Sequence, residues 1–108
     1  MTRGTTPTIT LTIHGYDLSA NTNYVTISQV GGTQLTLTGE SVVASYDGET
    51  ETSTLQIYLS QEQTLSFSRK QNADIQLRTI DAEGTALASK IYHINVNSIL
   101  LEGVITYG

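Results

Sequence analysis

ADIQLRTIDAEGTALASKIYHINV, residues 73–96, is the longest run of strand signals in the chain. Ile75 and Leu77 alternate with Gln76 and Arg78, the period-two pattern of a strand with one buried face. Asp81-Ala82-Glu83-Gly84 follows with turn chemistry: Asp can hydrogen-bond the backbone two residues on, and Gly accepts a positive φ at the end of the turn. A second apolar run returns through Leu87, Ile91, Ile94 and Val96. The pattern predicts a β-hairpin with a four-residue or slightly longer loop. Ile91 and Ile94 have opposite parity, so one regular strand cannot bury both on the same face. Either a bulge near Ala88-Ser89-Lys90 or Tyr92-His93 shifts the phase, or the strand is covered on both sides.

Upstream of the hairpin the same alternation recurs. Thr8 to Ile13 turns Ile9, Leu11 and Ile13 inward. After a loop rich in Asn, Asp, Ser and Gly, Tyr24 to Gln29 buries Val25 and Ile27, and Gly31-Gly32 turns the chain. Gln34 to Thr38 then buries Leu35 and Leu37. Ser41 to Tyr46 is a weaker strand with Val42, Ala44 and Tyr46 on one side. Thr52 to Leu59 carries Leu55, Ile57 and Leu59 inward. Ser60 and Gln63 have capping-box spacing, which predicts a single helical turn. Thr64 to Phe67 reads as another short strand, with Leu65 and Phe67 inward. Short strands with turn signals between them and no helix of ordinary length predict an all-β fold: an immunoglobulin-like antiparallel β-sandwich of about seven to eight strands. Its expected core is Ile9, Leu11, Val25, Ile27, Leu35, Leu37, Leu55, Ile57, Leu65, Phe67, Ile75 and Leu77.

The 108 residues suit one domain, 1–108. A polar arm, 1–7, is expected to be mobile, and an apolar tail, 98–108, carries Ile99, Leu100, Leu101, Val104 and Ile105. A chain of this length buries roughly two-thirds of its unfolded surface, enough for one modest core. It has no cysteine, so disulfides and thiolate metal sites are excluded. The net charge of −5 and five scattered basic residues argue against a nucleic-acid partner, which needs Lys and Arg against phosphates. No apolar segment is long enough to span a bilayer, so no membrane partner is expected. Residues 1–12 contain no signal-peptide core, which points to synthesis in the cytoplasm.

Catalytic chemistry is not visible. His14 and His93 are the only histidines, and in sequence no Asp or Glu stands at metal-ligand spacing to either. Asp47-Gly48-Glu49-Thr50-Glu51 lacks the alternating ligands of a calcium loop and reads as a solvated turn. The ten acidic residues sit mostly in turns and do not single out a glycosidase pair. Nothing resembles a nucleophile elbow, and no helix follows Gly31-Gly32 to make a phosphate cradle. Tyr58 and Tyr92 are expected to point away from the core and could form a sugar-stacking platform. The absence of Trp weakens that reading, and exposed tyrosines are equally common at protein contacts. No enzyme activity and no cofactor are expected.

Three segments resemble a known group. They are Arg3-Gly4-Thr5-Thr6-Pro7-Thr8, Leu59-Ser60-Gln61-Glu62-Gln63-Thr64-Leu65-Ser66-Phe67, and the hairpin from Ile75-Gln76-Leu77-Arg78 through Asp81 to Ser89. Together they look like a family of small proteins encoded among the virion structural genes of tailed phages and prophages. The resemblance runs nearly end to end, and its opening segment is the most specific part. It implies a non-enzymatic structural role, on the capsid or in the tail and baseplate, with other virion proteins and copies of the chain itself as partners. Arg3, Thr5, Thr6, Pro7, Ile99, Leu100, Leu101, Val104 and Ile105 are the candidate protein contacts. The alternative is a carbohydrate-binding or adhesin-like sandwich using Tyr58 and Tyr92.

Overall fold

The computed structural model describes residues 1–67, 72–96 and 104–107. Eight antiparallel strands form two sheets: β1 (Thr8–His14), β2 (Thr22–Ser28), β3 (Gln34–Leu37), β4 (Val42–Asp47), β5 (Thr52–Tyr58), β6 (Ala73–Ile80), β7 (Ala86–Ala88) and β8 (Tyr92–Ile94). A 3₁₀ turn, Gly39–Ser41, precedes β4, and a five-residue helix, α1 (Gln61–Leu65), joins β5 to β6. One sheet has the order β1-β5-β4. The other runs β3-β2-β6, with β7 and β8 both on the far edge of β6. This is the strand order of an immunoglobulin-like sandwich from its second strand onward, with α1 in the connection between the fifth and sixth strands. Among the described elements, none takes the place of the first strand beside β1.

The register explains why the apolar positions meet. Val25 lies opposite both Leu37 and Leu77, and Ile27 opposite Ile75, so three strands present one apolar face. In the facing sheet Leu11 opposes Leu55, which opposes Ala44, and Ile9 opposes Ile57, which opposes Val42. The two faces close one core, completed by Leu18, Leu59, Phe67, Ala73 and Val96. Ile9, Ile13 and Leu35 are only partly buried because they lie on end strands. The alternation in β5 also takes Ser53 fully inside, where it replaces an apolar contact with hydrogen bonds. Its hydroxyl accepts from the Leu18 N–H at 2.9 Å and donates to the Tyr16 carbonyl at 2.6 Å, pinning the β1–β2 loop over the core.

Three expectations need correction. The returning arm of the hairpin is not one strand. It breaks at Ser89-Lys90-Ile91 into β7 and β8, which resolves the parity conflict by a phase shift and leaves Ile91 and Leu87 exposed. Ser89 holds the break against β6: its N–H donates to the Leu77 carbonyl at 2.8 Å, and its hydroxyl accepts from the Leu77 N–H at 3.0 Å. Second, Thr64 to Phe67 is not a strand. The capping box forms as expected, with Gln63 N–H on the Ser60 hydroxyl and Ser60 N–H on the Gln63 side chain, and the helix it starts runs on through Leu65. Helical spacing turns Thr64 inward and leaves Leu65 half-buried, while Phe67 remains in the core.

Third, the 1–7 arm does not project freely. Arg3 donates from Nε to the Phe67 carbonyl at 2.6 Å and from Nη2 to the Leu65 carbonyl at 3.0 Å. The Thr64 hydroxyl donates to the Thr5 carbonyl at 2.9 Å, and the Leu59 N–H to the Pro7 carbonyl at 3.3 Å. A guanidinium donating to the carbonyls that end a helix satisfies groups the helix itself leaves without partners.

Candidate functional site

Among the described strands, β1 ends one sheet and β7 and β8 end the other, and the sandwich is open between them. A cavity of about 360 Å³ sits there. Thr12, Ile13 and His14 form one wall, and Leu87, Ala88, Ser89, Lys90 and Tyr92 the other. Leu77 and Thr79 of β6 make its floor, and Tyr16 and Leu18 close one end. The strand pattern makes this lining mostly apolar, because residues that would face a neighbouring strand face a gap instead. Two polar groups stand at the mouth. Lys90 places its ammonium 5.2 Å from the centre of the Tyr92 ring, a cation–π contact. His14 Nδ1 is 3.1 Å from the Thr52 hydroxyl.

Tyr92 therefore does not point away from the core as expected; it packs against it and lines the groove. Tyr58 is exposed at the end of β5, its hydroxyl donating to Gln56 Oε1 at 2.8 Å. The two tyrosines belong to different sheets and do not form a common platform. Of the expected protein contacts, Arg3, Thr5 and Pro7 bond to their own chain, while Thr6 is exposed. Ile99, Leu100 and Leu101 lie outside the described residues. Val104 and Ile105 are exposed, and Tyr107 beside them has its side chain wholly in solvent. Ile105 is gripped through its backbone by the Gln61 side chain, whose Nε2 donates to the carbonyl at 2.9 Å and whose Oε1 accepts from the N–H at 2.7 Å.

Among the described residues the titratable groups do not converge. His93 Nδ1 lies 2.5 Å from Asp74 Oδ1, a partner that sequence spacing does not reveal because the two meet across the β6–β8 ladder. Asp17 is held below the usual carboxylate range, first by the Ser19 hydroxyl at 2.6 Å and then by the Ser19 N–H at 3.0 Å. Both belong to local structure on the surface. Among the described residues no three His, Cys, Asp or Glu side chains stand close enough to hold a metal ion, and no helix is long and apolar enough to cross a membrane. No protein-family model and no curated protein matches this sequence.

Proposed function

We propose that the protein is a non-enzymatic structural subunit of a tailed-phage particle, made in the host cytoplasm and built into the virion. It acts through contacts with copies of itself and with other virion proteins. The observation that carries this reading is the cluster of large apolar side chains left in solvent at residues 104–107: Val104, Ile105 and Tyr107. Scattered exposed apolar residues are ordinary, but three within four consecutive positions concentrate apolar surface on one short segment, as protein contacts do. The resemblance of the opening segment and the hairpin to virion structural proteins points the same way. The test is the protein content of purified particles. Stoichiometric copies at symmetric positions in a particle density map are expected; particles that are complete without the chain would overturn the proposal.

A further inference from the structure

We infer that Val104–Tyr107 of one copy adds as a strand to the outer edge of β1 in a second copy, with Ile105 and Tyr107, which share one face of an extended strand, closing the groove between β1 and β7–β8. This rests on the assembly reading above and specifies the contact it would use. The acceptor is the best strand template among the described edges. β3 is four residues long, the β7–β8 edge is broken at 89–91, and β4 ends on Asp47. β1 offers seven uninterrupted residues with no proline and no carboxylate, and β5 is its only partner among the described strands. Edges of that kind are the ones natural sheets usually blunt or cover. Beside this edge the groove presents Ile13, Leu87 and Tyr92, so an added strand would gain main-chain hydrogen bonds and an apolar seat together.

The donor is already shaped for the role. Gln61 grips both the N–H and the C=O of Ile105, which requires the two groups to point the same way, as they do in a strand. In extended chain the N–H and C=O of Val104 and Thr106 then face the opposite direction and remain available to a second strand. The same grip argues for a second copy over the chain's own groove. Gln61 follows β5 at the end where Tyr58 pairs with Thr8, whereas the groove lies at Thr12 to His14. Those positions are roughly 13–20 Å apart along the strand. Tyr107, the far end of the segment, lies two residues from Ile105 and so reaches about 7 Å from it at most. A contact between two different surfaces is head-to-tail, and such contacts build rings or filaments.

The chain has no cysteine, so a designed pair reports without interference. In the double variant Thr12→Cys/Thr106→Cys the two thiols lie on the outer face of the paired strands. Oxidation of a mixture of isotopically heavy and light protein is expected to give a heavy–light disulfide between these positions. Ile105→Asp, at a side chain already in solvent, is expected to leave the melting temperature of dilute, monomeric protein unchanged and abolish the multimer in sedimentation at higher concentration. A disulfide formed only within single chains would place the segment in its own groove and overturn the inference. Multimers that survive Ile105→Asp and give no disulfide would also overturn it, moving assembly to another surface while leaving the subunit reading intact. A chain that is monomeric at every concentration overturns it as well, and the subunit reading then stands or falls on particle content alone.

Discussion

The two arms of the β6–β7/β8 hairpin come from one stretch of sequence and end in different environments. Leu77 on the first arm is 2% exposed and Leu87 on the second is 41% exposed. Both sit in apolar patterns that predict burial. What separates them is position. β6 has β2 on one side and β7–β8 on the other, and its inward face is roofed by the opposite sheet. β7 is the last strand of its sheet, and where a roof would lie there is the groove. Periodicity fixes which face of a strand is apolar; strand order decides whether anything covers that face.

The comparison is most directly broken at Leu77. Leu77→Ala removes a side chain packed among Val25, Ile75 and the facing sheet, and the rigid surroundings cannot collapse fully into the space. It should cost about 2–5 kcal/mol in chemical denaturation. An unchanged midpoint would mean that the inward face of β6 is misassigned. Ser89→Ala tests the joint between the arms. The Leu77 N–H loses the hydroxyl that accepts it, with a backbone donor left partly buried, and stability should fall by about 1–2 kcal/mol. If it does not, water has replaced the hydroxyl and the break is not fastened by Ser89.

Gly84→Ala probes the turn that joins the arms. Gly84 has φ of +87°, and a Cβ there meets nothing within 4 Å. The penalty is therefore in the backbone alone, about 1 kcal/mol. The turn is closed by Asp81, whose Oδ1 accepts from the N–H groups of Glu83 and Thr85 at 2.9 Å each. A larger loss, with the amide signals of 81–85 displaced in NMR spectra, would show that the whole Asp81 turn depends on the left-handed residue.

Much of this was legible in the sequence where local rules suffice. The inward faces of β1, β2, β5 and β6 follow from alternation, the capping box from its spacing, and the positive φ of Gly84 from the turn residues before it. The misses share one cause: each depended on a contact between residues far apart in sequence. Leu65 reads as a strand residue until Thr64, bonded to the Thr5 carbonyl, is known to take the inward position. Leu18 lies in a polar loop and is buried only because Ser53 draws that loop across the core. Arg3 belongs to a polar arm whose partners are carbonyls 62 and 64 residues away. The groove is the extreme case, since its walls come from β1 and β7–β8 and no spacing rule says that those two edges face each other across a gap.

Leu87→Ala is the smallest effect expected and the most informative about that gap. A side chain that already meets water loses little burial on truncation, and water fills the space it leaves, so there is no cavity term. The isolated chain should lose only about 0.5 kcal/mol. In dilute protein a cost near that of Leu77→Ala would mean that something covers β7 within the single chain, and the contrast between the two arms would disappear. A cost that grows with protein concentration has a different origin. Stability gained from a partner scales with the logarithm of partner concentration, whereas an intramolecular contact is indifferent to it. If a second copy lays a strand against the groove, Leu87→Ala should be nearly silent at low concentration and increasingly destabilising as multimers form. Melting curves collected across a concentration series, with Leu77→Ala as the concentration-independent reference, separate the two cases. Parallel behaviour of both variants at every concentration would leave Leu87 at an unvisited rim.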